Sequence, residues 1–211
     1  MVRVFLAGDS TVQAYEDNAR QGGWGEFLHK YLDDNIQVCN YAIGGRSSKT
    51  FVEEGRLEHI FSEISESDYL LVQMGHNDAT KHKPERYTEP YTTYKKYINM
   101  YIEGAKSLHA NPILITPVAR LHVKQGQFIN DFPEYCIVLK DLAKSQNIPL
   151  IDLMNESLNF YASVGYERAE DYFMASINKI DFTHFTKLGA NEIAKIVARQ
   201  LTYIWEDLKD E

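Results

Sequence analysis

What this chain has least of already narrows what it can be. Two cysteines in 211 residues, Cys39 and Cys136, are too few for a disulfide framework, and each lies in a run suited to a buried free thiol. Such a pair fits a reducing compartment. No apolar stretch approaches the ~18 or more residues that a membrane span requires. No basic, apolar signal precedes the first strand-like run, which starts at residue 2, so a cytoplasmic protein with no membrane partner is the expectation. Positive charge is also scarce: 22 Lys and Arg against 30 Asp and Glu give a formal net charge of −8. That balance, with Lys95-Lys96 as the densest basic pair, opposes nucleic acid as a partner. No internal repeat, low-complexity tract or Pro/Gly/Ser linker divides the chain, so residues 1–211 are read as a single domain.

What the chain does contain is an alternation of two patterns. Short apolar runs at 2–7, 36–41, 69–73, 112–116 and 149–152 read as strands. Amphipathic stretches at 24–34, 90–109, 131–146, 155–164 and 186–208 read as helices; in the last, Leu188, Ile193, Ile196, Val197, Leu201 and Ile204 share a face. Alternating strands and helices predict a five-stranded parallel sheet covered on both sides, a flavodoxin-like three-layer α/β/α sandwich. The polar stretches 77–89 and 117–130 follow the third and fourth strands, where they would wall a cleft at the carboxyl edge of the sheet.

Four short segments at strand ends or before the last helix each supply a part that acyl transfer needs. The first strand runs directly into Gly8-Asp9-Ser10-Thr11, which would present Ser10 at the carboxyl edge as a nucleophile. Ala42 to Ser48 follows the second strand and holds Gly44-Gly45, where a backbone N–H can approach a ligand without side-chain obstruction. Gly75-His76-Asn77-Asp78 follows the third and offers the Asn77 amide as a donor to a developing oxyanion. Asp181-Phe182-Thr183-His184 spaces a carboxylate three residues before a histidine, so that Asp181 orients the ring while its other nitrogen accepts a serine proton. Taken singly, each also reads as ordinary structure: a turn, a helix cap at Ser47 or Ser48, an Asx turn, and a capped helix entrance. Their joint occurrence favours the chemical reading.

These four blocks, spread over essentially the whole chain, resemble the SGNH hydrolases, also called GDSL esterases. Within that family the Gly-Asp-Ser-Thr opening, Gly23-Trp24-Gly25, Gly45-Arg46-Ser47, Glu54-Gly55-Arg56 and Gly75-His76-Asn77-Asp78 look like the rhamnogalacturonan acetylesterase branch. The resemblance implies a carbohydrate O-acetyl esterase that needs neither metal nor other cofactor and takes acetylated oligosaccharides as its partner. It assigns catalysis to Ser10, Asp181 and His184, and the oxyanion hole to the N–H groups of Ser10 and Gly45 with the Asn77 amide. Arg46, Arg56, Arg120 and His122 are the candidates for sugar or galacturonate recognition, because a guanidinium grips a carboxylate through two hydrogen bonds. Asp9 is expected to shape the nucleophile turn, and Trp24 to be core.

Other readings leave parts of this pattern unused. A metal hydrolase built on His76, Asp78 and His82 gives Ser10 and His184 nothing to do, and a flavin protein lacks a hydroxyl-rich phosphate cradle after the first strand. A binding protein on a retired hydrolase fold would not need all four segments, whereas a short-chain lipid esterase or thioesterase of the same family shares them, so the choice of carbohydrate acetate rests on the resemblance alone. No Gly-x-Ser-x-Gly elbow occurs, which sets aside a conventional α/β-hydrolase.

Overall fold

The five apolar runs assemble as their pattern predicts. The computed structural model describes residues 2–208. In it β1 (Val2–Gly8), β2 (Ile36–Asn40), β3 (Tyr69–Gln73), β4 (Asn111–Ile115) and β5 (Leu150–Ile151) form one parallel sheet in the order β2-β1-β3-β4-β5. Val4 pairs with Val38 on one side and Tyr69 on the other, and Tyr69 pairs in turn with Asn111. Val4 to Ala7, Leu70 to Val72 and Ile113 to Ile115 are at most 1 % exposed. Strands buried on both faces have no polar side to alternate with, which is why they read as continuous apolar runs.

Helices α1 (Ser48–Glu53), α2 (Arg56–Glu63), α3 (Lys95–Ser107) and α4 (Pro133–Gln146) pack together as one outer layer. The opposite layer holds α5 (Leu153–Val164) and α6 (Lys187–Asp207), the latter against the short turn Trp24–Phe27. Among the described residues no helix is long and apolar enough to cross a membrane.

The helical layer departs from its sequence pattern in three places. Residues 24–34 form one α turn and then a 3₁₀ turn at Leu28–Tyr31, and 90–109 begins as a π turn at Pro90–Tyr94. The α1–α2 pair was not apparent from periodicity, because Gly55 at φ 72° separates two short helices and neither spans enough turns to show a stripe. Ser47 caps α1 in a capping box with Thr50, so the structural reading of that segment holds alongside the chemical one. The polar stretch 117–130 contains a small hairpin, Val123–Lys124 against Gln127–Phe128.

All five strands are parallel, so the loops after β1, β2, β3 and β4 leave from one edge. Strand order reverses between β1 and β3: the chain steps from β1 out to β2, then crosses to the other side. Open α/β sheets place their ligand crevice at such a switch point. Ser10 follows β1 and Asn77 follows β3, so the two flank it.

Candidate active site

The nucleophile turn is built from backbone outward. The Asp9 carbonyl accepts from the N–H groups of Val12 and Gln13 at 3.1 and 3.0 Å, closing the turn that follows β1. Asp9 is fully buried, and its Oδ1 accepts from the Thr11 N–H at 2.9 Å and the Thr11 hydroxyl at 2.8 Å. Its other oxygen lies 3.2 Å from His76 Nδ1, and His76 Nε2 lies 3.0 Å from the Val118 carbonyl. Burial alone would raise the Asp9 pKa, but the His76 ring and the Thr11 donors more than offset it and hold the carboxyl below its ordinary range.

From Thr11 the polar chain continues inward. Gln73 donates to the Thr11 hydroxyl at 2.7 Å and accepts from the Trp24 indole at 2.9 Å. Trp24, 1 % exposed, is therefore core, with its one polar atom satisfied. The Asp9 carboxylate is thus engaged by Thr11 and His76 within the turn.

Above this floor, Ser10 Oγ lies 2.9 Å from His184 Nε2, and His184 Nδ1 lies 2.8 Å from Asp181 Oδ2. The other Asp181 oxygen accepts from the backbone N–H groups of Thr183 and His184 at 3.1 and 3.0 Å. Partial burial would raise the Asp181 pKa, yet these donors and the adjacent ring hold it below the ordinary value. An ionised carboxylate only accepts, so Nδ1 carries the proton and Nε2 is left to accept from the serine hydroxyl. Asn178 builds the approach: its side-chain oxygen accepts from the N–H groups of Ile180 and Asp181 at 3.0 and 2.9 Å.

The glycine segment after β2 closes the other side. A Cβ on Gly44 would lie 3.3 Å from Ser10 Cβ, so the segment passes directly beside the nucleophile. The Gly44 N–H donates to Gln13 Oε1. Gly45 has φ 81°, and among the described residues neither its N–H nor that of Ser10 has a hydrogen-bond acceptor. The Gly44 N–H is thus occupied and that of Gly45 is available. Asn77 donates through Nδ2 to the Arg46 carbonyl at 2.9 Å, which ties the loop after β3 to the residue following Gly45. Free backbone N–H groups beside a hydrogen-bonded Ser–His–Asp series can accept negative charge on an oxygen attached to the attacked carbon.

The recognition candidates fare differently from one another. Arg46 and Arg56 both bind Glu54, at 3.0 and 2.7 Å, and Arg46 also donates to the Gly44 carbonyl at 3.0 Å. His122 pairs with Asp131 at 3.0 Å. Arg120 lies with its guanidinium carbon 4.8 Å from the centre of the Phe132 ring. Leu121 donates to the Phe182 carbonyl at 2.9 Å, so the Arg120 segment is fastened to the Asp181–His184 loop.

Two of the three side chains that a metal site would use, His76 and Asp78, are engaged elsewhere. His76 faces Asp9 and Val118, while Asp78 accepts from the Ser48 N–H and hydroxyl and from the Thr88 hydroxyl. Among the described residues no three His, Cys, Asp or Glu side chains converge to hold an ion. A cavity of about 800 Å³ lies apart from the Ser10 region, between the small hairpin and α5, lined by Phe128, Leu158 and Tyr166. It contains none of the residues above.

Several participants had no sequence signal of their own. Gln13 sets the Gly44 amide, and Tyr15 donates to the Ser10 carbonyl at 2.9 Å while accepting from Gln21 at 2.6 Å. Burial, reinforced by the Asp9 charge, pushes the Tyr15 pKa up to about 12, so it remains a donor at neutral pH. Arg86 reaches the Gly45 carbonyl at 3.5 Å. Its place in the polar stretch 77–89 was the available hint.

The family model for GDSL-like Lipase/Acylhydrolase matches residues 4–197. The chain is 61 % identical over 196 residues to the protein named Probable rhamnogalacturonan acetylesterase YesY of Bacillus subtilis (strain 168), covering 93 % of this chain and 90 % of that protein. It is 36 % identical over 220 residues to Rhamnogalacturonan acetylesterase RhgT of the same organism, covering 99 % and 93 % respectively. Among solved structures, an acetylxylan esterase from Geobacillus stearothermophilus superposes with a TM-score of 0.72 at 17 % identity, over 94 % of this chain and 93 % of that one. This last likeness concerns the fold.

Proposed function

Because this chain belongs to the GDSL-like lipase/acylhydrolase family, we propose that it is a carbohydrate acetylesterase that removes O-acetyl groups from acetylated rhamnogalacturonan oligosaccharides, with Ser10 as nucleophile. The observation that carries the mechanism is the unbroken series from Ser10 Oγ to His184 at 2.9 Å and on to Asp181 at 2.8 Å, beside two unoccupied backbone N–H groups. The substrate class rests on the similarity to YesY and RhgT.

In this reading Ser10 Oγ attacks the acetyl carbonyl carbon as its proton passes to His184 Nε2. The carbonyl π electrons move onto oxygen, where the N–H groups of Ser10 and Gly45 and the Asn77 amide stabilise the charge. Collapse of the tetrahedral adduct breaks the bond to the sugar oxygen, which leaves with the proton from His184 Nε2. Water then gives a proton to the same nitrogen as its oxygen attacks the acetyl carbon. Collapse of this second adduct breaks the bond to Ser10 Oγ, which takes the proton back from His184 Nε2 as the acetyl group leaves as acetic acid and ionises to acetate. Asp181 stays ionised throughout and steadies the imidazolium. No step requires a cofactor.

The location proposed is the cytoplasm, with imported oligosaccharides as substrate. Cys39 and Cys136 are both free, which suits a reducing compartment. The test is acetate release from acetylated rhamnogalacturonan oligosaccharides beside acetylated xylo-oligosaccharides and nitrophenyl esters of increasing chain length. Preferential release from the first is expected. Hydrolysis confined to the nitrophenyl esters would keep the esterase and remove the pectic substrate.

A further inference from the structure

Arginine side chains at the active-site edge fall into two groups. Arg46 and Arg56 are each paired with Glu54. Arg86 and Arg120 are not: the Nε of each is buried without a hydrogen-bond partner. Among the described residues Arg86 makes only two hydrogen bonds, to the Gly45 carbonyl and the Thr80 hydroxyl, both at 3.5 Å and so at the outer limit of a hydrogen bond. Arg120 makes no hydrogen bond or ion pair with any described residue and rests against the Phe132 ring. Burial pulls its pKa below the ordinary value, against the fields of Asp131, Asp9 and Asp181.

Buried donors without acceptors are uncommon and call for a physical reason. Here both stand beside the machinery. The Arg86 guanidinium lies 3.9 Å from where a Gly45 Cβ would be, and the Arg120 segment is bonded to the Asp181–His184 loop. In a chain of net charge −8, two guanidiniums with no acidic partner among the described residues, one beside Gly45 and one on the segment bonded to the Asp181–His184 loop, form a local exception. A guanidinium presents its donors as a planar fork that matches a carboxylate.

We propose that Arg86 and Arg120 bind the carboxylates of uronic acid residues flanking the acetylated sugar, so that the site selects acetyl esters in acidic oligosaccharides over neutral ones. This rests on the esterase reading above for its substrate class, but binding tests it without turnover. Arg86 serves on the oxyanion side, next to Gly45, and Arg120 on the side of the base. Glu54 keeps Arg46 and Arg56 from competing for the same ligand.

The experiment is calorimetric titration of the intact chain with a deacetylated rhamnogalacturonan oligosaccharide and with the same oligosaccharide after its carboxylates are reduced to alcohols. The acidic form is expected to bind about 10- to 100-fold more tightly, the range set by hydrogen bonds to charged groups. Arg120→Gln and Arg86→Gln should each erase much of that preference while leaving affinity for the reduced form unchanged. Arg120→Lys, which keeps charge and loses the fork, should fall between, and it decides the matter with Arg86→Gln if Arg120→Gln unfolds on heating well below the parent. Equal binding of the two forms by the unsubstituted chain, binding of neither, or a preference that survives both substitutions would overturn the proposal. Failure of the esterase reading would show separately, as absent acetate release from a chain that still prefers the acidic ligand.

Discussion

The floor of the site and its rim treat polar groups in opposite ways. Beneath Ser10, Trp24, Gln73, Thr11, Asp9 and His76 form a chain in which each buried donor meets an acceptor. At the rim, Arg86 and Arg120 keep buried Nε atoms with none. The floor uses hydrogen bonds to fix the height and direction of one serine, and a fixed floor is what permits a catalytic distance to be held. The rim leaves donors open, and open donors have value only when something arrives to accept them. A second contrast lies within the floor itself. Asp9 and Asp78 are both fully buried at strand ends, yet Asp9 has an imidazole partner and a lowered pKa, whereas Asp78 has only hydroxyls and a backbone N–H and is pushed up to about 6.

Substitutions that separate these regions should differ in kind as well as size. The largest effect short of removing the nucleophile is expected from Asp181→Asn, which should lower turnover about 10⁴-fold by spoiling the His184 tautomer, measured as kcat for acetate release. His76→Ala should act on stability: leaving Asp9 buried and unpaired costs about 3–5 kcal/mol in denaturant unfolding. Asn77→Ala should reduce kcat by about 10²–10³-fold with a smaller change in KM, since the amide acts on charge that develops after binding.

Asp78 is expected to reveal itself through pH. Its folded pKa lies above the ordinary 3.8, so its contribution to stability is full below that value and is lost as pH rises through about 6. Asp78→Asn lacks this term, so the difference in unfolding free energy should move by about 3 kcal/mol in favour of the variant between pH 3 and pH 8. Asp9 has the opposite sign, its contribution being present above the ordinary value and lost as pH falls through its lowered pKa. The smallest stability effect belongs to the rim: Arg86→Gln should stay within about 1 kcal/mol of the parent in the same unfolding assay, because it gives up only two long contacts.

The sheet was legible because burial on both faces leaves an unambiguous mark, as in Val4 to Ala7. The fifth strand was legible too, although 149–152 contracts to Leu150–Ile151, which pair with Leu114 and Ile115. Ser10, Asp181 and His184 were legible as residue types at strand ends or at fixed spacing, and the structure brings the three together. Gly45 over Gly44 was already implied by the resemblance, and Gln13, which occupies the Gly44 amide, supplies a physical reason for that choice. Arg120 was a candidate in the sequence on the same footing as Arg46 and Arg56, and Arg86 was not a candidate at all. What distinguishes them from Arg46 and Arg56 is the position of Glu54, a three-dimensional fact with no period or spacing to announce it.

The central claim is that Ser10 is the nucleophile, and the most direct test is the rate of acetate release from acetylated rhamnogalacturonan oligosaccharides by Ser10→Ala against the parent chain. The account predicts a loss of at least about 10⁴-fold with the fold and carboxylate binding retained. A variant that still releases acetate at a substantial fraction of the parent rate would contradict it.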